Sequence, residues 1–563
     1  MRKFFFIFGV LFLFSLQASA AILNVPGDYP SIQAAVDVAK GGDTILLADG
    51  TYTGPDNRNI DLNKKTPLTF RSFSNNSHQC TIDCEHSGRA FFADSGEHLD
   101  IEAIGIINGS VIDKGGAIYC YNSGLVVKRC FFSNNSASNG GAIYSYVASD
   151  VKASFLIYDS YFLSNRANHS GGALYTSAAA LVSGCSFSSN QAENGGGVQI
   201  NGSRAATISR CIFSANIATG SGGALKLAVR SSMTDCTFAH SYAANSGGAV
   251  FAYFNSNHTL FTGCRFMSNR AGKSGGAVYT GAPELKNCIF NKNTAESATA
   301  GGGALYVSSA ATLKNCLFTE NAANGNGGAV YVSSYYVPPA PDATCTNCTF
   351  VGNSAQKNGG ALWCNIPSTT GSEKFLTLKN CIMWDDEAAS GDEIFEENTS
   401  ATVSYSDVKG GHAGVSNLND YPKFRIYSGS GGSSFPERSL SIASGYDYHL
   451  CCNSPCVDTG TDAVAPATDL EDIVRPVGAG VDMGAYEYHY EPVVWKGTMA
   501  SDHWSYAANW DPQAPLHCSA VLIEHDHNPT LSPVVYTESA VVRSLTITGR
   551  HLAITGCLTL GGV

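Results

Sequence analysis

The chain has 563 residues, 59 of them glycine, with 44% hydrophobic and 14% charged residues and a formal net charge of -12. That composition excludes a disordered chain, and the acidic balance excludes a basic nucleic-acid groove. The charge is split: residues 115–383 hold 17 Lys or Arg against 9 Asp or Glu, a local +8 with no basic stripe, so the acidic weight lies at the two ends.

Residues 1–20 read as an export signal, with Arg2 and Lys3, an apolar run from Phe4 to Leu16, and the small-residue pattern Ala18-Ser19-Ala20 for cleavage. The expectation is an exported protein, secreted or held at a bacterial cell surface or outer membrane. No later segment reaches the roughly 18 apolar residues of a membrane helix, so no transmembrane segment is expected. Residues 21–114 read as an N-terminal cap followed by irregular first coils. Within them Ile32 to Val36 predicts a short amphipathic helix begun by Ser31 or Asp28, and Asp43 to Tyr52 predicts a strand.

Residues 115–385 are repetitive. Gly-Gly recurs at Gly115, Gly140, Gly171, Gly195, Gly222, Gly247, Gly275, Gly302, Gly327 and Gly359, steps of 24 to 32 residues that mark a solenoid. Next comes Ala (Gly197 once) and then an aliphatic residue ten times in ten, from Ile118 to Leu362. That position must face a core, and the glycines suit a corner that needs positive φ or close backbone approach. A second step follows, read from Cys130, Phe132, Asn135 and Ala137. Its cysteines are Cys130, Cys185, Cys211, Cys236, Cys264, Cys288, Cys316, Cys348 and Cys381, with Ser160 once. Its turn residues are Asn135, Asn165, Asn190, Asn216, Asn269, Asn293, Asn321 and Asn353, with Ser241 and Asp386 as exceptions. Cys and Phe are expected inside, the variable residue between them outside, and the Asn amides hydrogen-bonded from coil to coil. Cysteines stacked in register stand about 4.8 Å apart with parallel Cβ vectors, so they are expected as free buried thiols rather than disulfides. Cys451, Cys452 and Cys456 lie outside the ladder and are candidates for a bridge.

Residues 386–490 read as C-terminal coils and a closing region. Its first part is acidic, with Asp385, Asp386, Glu387, Asp392, Glu393, Glu396 and Glu397 read as a solvated loop rather than a calcium site. Asp458, Asp469, Asp472, Arg475, Asp482 and Glu487 read as structural ion pairs or turns. From 491 to 563 the composition shifts, with Trp495, Trp504, Asn509 and Trp510, then an alternating run at Ser544 to Thr548, which reads as the start of a second small β module. The strand-like run up to Val563 carries the expectation that the natural product continues.

The paired steps resemble the GGAI and FxxN repeats of chlamydial polymorphic outer-membrane proteins, within the wider pectate-lyase-like β-helix superfamily. The resemblance covers about 270 residues and implies a fold: all-β, a right-handed single-stranded parallel β-helix of about ten or more coils, with an N-terminal helix cap and a small C-terminal β module. It also implies a surface-exposed, adhesin-like role. Enzymes of the superfamily set the alternative, a polysaccharide lyase or other carbohydrate-active enzyme. Such an enzyme needs clustered acids to hold calcium beside a basic residue, and the repeats offer nine scattered carboxylates. Lys226 is the best basic candidate, expected on a solvated face. His169, His240 and His258 sit in separate coils, and Cys345-x-x-Cys348 lacks a second pair, so no catalytic residue, metal site or cofactor is nominated. What remains is the outward position after each invariant aliphatic. It is aromatic in eight coils, at Tyr119, Tyr144, Tyr175, Phe251, Tyr279, Tyr306, Tyr331 and Trp363, broken by Gln199 and Lys226. These rings read either as cross-coil stacking under variable loops or as a binding face for a glycan or a host or neighbouring surface protein.

Overall fold

A computed structural model of the protein describes residues 20–489, apart from 95, 149–150, 152, 203, 254–258, 310, 334–342, 366–374, 398–399, 427–445 and 452, together with strand segments between 493 and 560. The export segment, Cys452 and Trp504 lie outside the described residues.

The chain opens with a strand, Ile22–Val25, and a seven-residue helix, Ile32–Val38. Ser31 supplies the helix cap from extended backbone, its Oγ accepting from the Ala34 amide at 3.3 Å. Ile32, Ala35 and Val36 turn inward and seal the first coil. From there the chain winds as a right-handed parallel β-solenoid whose strands sort into four sheets of 15, 13, 14 and 10 strands. One coil shows the rule. Val278–Thr280, Glu284–Lys286, Ile289–Asn291 and Thr294–Ala295 run along the four sheets in turn, and each pairs with its counterpart one coil on: Val278 with Leu305, Leu285 with Leu313, Phe290 with Phe318, Ala295 with Ala323. The stack starts well before the first Gly-Gly, since Leu68–Ser72 and His98–Glu102 already occupy the sheet that later holds Gly124–Lys128.

Like packs on like. The Phe rings run from Phe132 to Phe350 in one face-to-face column, with centroids 4.6 to 4.9 Å apart. That spacing is the distance between hydrogen-bonded strands, so the backbone itself sets the ring contact. Along the Asn column each amide is held by its neighbours. Asn165 Nδ2 donates to Asn190 Oδ1 at 3.0 Å and to the Phe132 carbonyl at 3.1 Å, while its own Oδ1 accepts from the amide and Nδ2 of Asn135. At Ser241 the hydroxyl donates to the Ala239 carbonyl instead, and the ladder skips a rung. The ladder thiols point inward, with Cys130, Cys211 and Cys288 Sγ each donating to the carbonyl two residues back at 3.2 to 3.3 Å. Burial pushes the Cys120 and Cys130 thiols up to about 12, so they stay neutral.

The two glycines of each step do different work. The first takes φ between 59° and 74°. The second leaves no room: a Cβ on Gly276 would stand 1.9 Å from the Gly303 carbonyl oxygen. No other residue fits that corner.

The closing region corrects two expectations. Coils continue to Ile394–Glu397, Ser400–Ser404 and Asp407–Val408, each laid on the preceding coil. The chain then returns along the flank of the stack, where Phe424, Leu450, Met483 and Ala485 form a second core with Ile289, Leu317, Val351 and Ile382. The residue between Cys and Phe was expected outside. In the last four repeats Ile289, Leu317, Thr349 and Ile382 are buried, because this returning segment covers them. The acidic stretch is not uniformly solvated either, since Asp386 and Glu393 are buried where the last coil turns. Beyond residue 489 parallel pairing resumes: Ala520–Ile523 lies between Val493–Trp495 and Ser544–Ile547.

Candidate binding surface

The aromatic positions are brought into one row by strict register, Tyr119 on Tyr144 on Tyr175 and Phe251 on Tyr279 on Tyr306 on Tyr331 on Trp363. Successive rings stack at 4.1 to 5.6 Å. The row is longer than the repeats that announced it. Phe92 stacks on Tyr119 at 5.2 Å, and Phe395 takes the next place after Trp363. Neither follows a Gly-Gly-Ala-aliphatic step, so the motif missed both.

The stacking covers much of the row. Tyr144, Tyr331 and Trp363 are buried, and Tyr119, Tyr175, Phe251, Tyr279 and Tyr306 are half-buried. Gln199 and Lys226, expected as breaks on an open face, are buried as well. Lys226 corrects its sequence reading: it is 8% exposed, its Nζ donates to Asn194 Oδ1 at 2.7 Å, and it lies 5.5 Å from the centre of the Phe251 ring. A long stem lying along the sheet over an aromatic neighbour hides the charge that a bare hydropathy pattern places in water.

The open rings lie two positions further along the same strands. Tyr121 and Tyr146 stack at 5.4 Å and are 40% and 37% exposed, and Tyr253 stands edge-on to Phe251. Cations flank this end of the row, with Arg89 5.1 Å from the Tyr119 ring and Lys114 5.1 Å from the Tyr144 ring. Rings with one face open beside cations can stack on a sugar ring or pack a partner's side chains.

The closing segment is built differently. Arg475 and Glu487 form a buried pair at 2.7 Å, and Arg475 also donates to the carbonyls of Asp482 and Gly484. Asp469 accepts from the amides of Glu471, Ile473 and Glu487, Asp482 from those of Asp458 and Tyr488, and Asp458 from those of Ala479 and Gly480. Burial raises the Asp482 carboxyl to about 8. Every one of these carboxylates is occupied in holding backbone. Cys456 is buried, its thiol donating to Asp407 Oδ2 at 3.1 Å. Among the described residues no three His, Cys, Asp or Glu side chains are placed to share a metal ion.

The ladders and the four parallel sheets define a right-handed parallel β-helix, and residues 157–338 match the family model for the right-handed β-helix region. Residues 129–146 and 347–365 match the family model for the Chlamydia polymorphic membrane protein repeat, so this β-helix carries repeats similar to that type. Each matched stretch runs from one Cys-x-Phe step through the next Gly-Gly-Ala-aliphatic step. Among solved structures, the chain is similar to pectate lyase Pel9A, at 12% identity and a TM-score of 0.28 over 84% of this chain and 97% of that one. It is also similar to a mutant of the PL6 family alginate lyase AlyGC, at 13% identity and a TM-score of 0.35 over 95% of this chain and 73% of that one. Likeness this distant says nothing of chemistry. A search of curated proteins returns no match. No helix among the described residues is long and apolar enough to cross a membrane, a statement that does not extend to strands.

Proposed function

We propose that the chain is an exported, surface-associated β-helix that works without catalysis, as a rigid spacer carrying a binding face for a glycan or a protein. The repeat family's name, a membrane protein, supports the surface placement. The observation that carries the binding role is the stacked pair Tyr121 and Tyr146, exposed beside the longer row of half-buried rings and its flanking cations. Rings already held by their neighbours lose little side-chain entropy when a ligand settles on them.

The experiment is a binding screen against host-surface and matrix glycans and proteins, comparing wild type with Tyr121→Ser/Tyr146→Ser and with Tyr279→Ser/Tyr306→Ser. Loss of one ligand's affinity in the first variant, with the fold intact by circular dichroism, is the expected result. Unchanged affinity for every bound ligand in both variants overturns the aromatic face. Release of unsaturated products from pectins or uronates by the wild-type protein overturns the non-catalytic reading.

A further inference from the structure

In coil after coil the turn place holds Asn and the place after Gly-Gly holds Ala. The last coil changes both to acids, Asp386 at the turn and Glu393 in the degenerate step Gly391-Asp392-Glu393-Ile394. The place after Gly-Gly borders the column of turn side chains, since a Cβ on Gly197 would touch the Asn216 amide of the next coil at 3.4 Å, and the Asp386 and Glu393 carboxyls lie within hydrogen-bonding reach of each other. Asp386 ends the Asn ladder as a pure acceptor, its Oδ1 taking both the amide and Nδ2 of Asn353 at 2.7 Å. Its Oδ2 and both carboxylate oxygens of Glu393 have no donor, and the two side chains are 2% and 5% exposed.

Two ionised carboxylates with three bare oxygens cannot stay folded away from water. The charged groups around them give little relief: Lys409 is held at 2.6 Å by Asp385, and Asp392, itself an acid, accepts from the Ala388 amide. We propose that Asp386 and Glu393 share one proton in an O–H···O bond that closes the end of the ladder, and that its loss to solvent opens the terminal coil, residues 386–408.

Burial pushes both carboxyls above their ordinary range, and the Asp386 charge pushes Glu393 further. The folded coil therefore keeps a proton that the unfolded chain has lost. Its contribution is complete below the ordinary carboxylate range of about 4 and shrinks as the pH rises through the raised folded values. Acid tightens this end and alkali loosens it, the reverse of a salt-bridged carboxylate.

Hydrogen exchange of the full chain, read by mass spectrometry and corrected for intrinsic rates, tests this. Between about pH 5.5 and about pH 9, protection of residues 387–397 should fall at least about tenfold while residues 278–307 hold. Glu393→Gln, and Glu393→Ala, which restores the repeat's own residue, should flatten that dependence. Constant wild-type protection, or an equal fall in both variants, overturns the shared proton. So does calcium chloride restoring protection at alkaline pH in wild type but not in Glu393→Gln, which would make the pair a cation site.

Discussion

The middle of the stack and the segment that closes it bury polar groups by opposite means. From Asn269 to Asn321 each amide is satisfied by its copy in the next coil, with no charge and no unique partner. From Cys456 to Tyr488 nothing repeats, and backbone amides are gathered by Asp458, Asp469, Asp482 and Glu487 around the single buried Arg475. Periodicity lets a neutral side chain serve as donor and acceptor at once. Where register ends, the same task needs carboxylates, and those need a guanidinium.

The sharpest way to break the periodic half is to fill its corner. Gly276→Ala puts a Cβ 1.9 Å from a carbonyl of the next coil, where neither backbone can move without shifting the stack. A loss of about 5 kcal/mol or failure to fold is expected, measured by urea titration. Breaking the aperiodic half should be local. Arg475→Met leaves Glu487 and Asp482 buried without their cation, costing about 4 kcal/mol, and limited proteolysis should cut within 456–488 while 115–355 resists. Asn321→Ala removes one rung, stranding the Asn293 amide groups and the Phe290 carbonyl, for about 3 kcal/mol in the same titration. The smallest effect sharpens rather than breaks the contrast. Ser241→Asn should mend the skipped rung and raise the urea midpoint, a gain of about 1 kcal/mol.

The sequence displayed the periodic half almost whole, because each ladder residue meets a copy of itself about one coil away. It hid the flank. The segment that covers Ile289 and Leu317 arrives from more than a hundred residues downstream, and no local pattern announces its return. A signal was nevertheless present. The corner residue before the ladder position is Arg129, Asp159, Gly184, Arg210, Asp235 or Gly263 in the early coils and becomes Asn287, Asn315, Asn347 and Asn380 in the four that are covered. Those amides are what the returning segment uses: Asn315 donates to the Thr468 carbonyl, Asn347 to that of Asp482, and Asn380 to that of Thr461. Lys226 was misread for a related reason, since outward on a strand is not the same as solvated when the neighbouring rungs are rings. The aromatic row was legible in its spacing but not in its cover, which depends on stacking and on side chains such as Arg89 and Lys114 from other parts of the coil.

The ladders at the centre of the fold are dry, neutral and in register, and thiol labelling reads this directly. Native protein is treated with a maleimide, mapped by peptide mass spectrometry, and compared with protein labelled after unfolding. Cys185, Cys211, Cys236, Cys264, Cys288, Cys316 and Cys348 are all buried, so they should stay unlabelled in the native state and all react once unfolded. Native labelling of several of these at the unfolded rate, or disulfides linking neighbouring rungs, would contradict the stacked ladder.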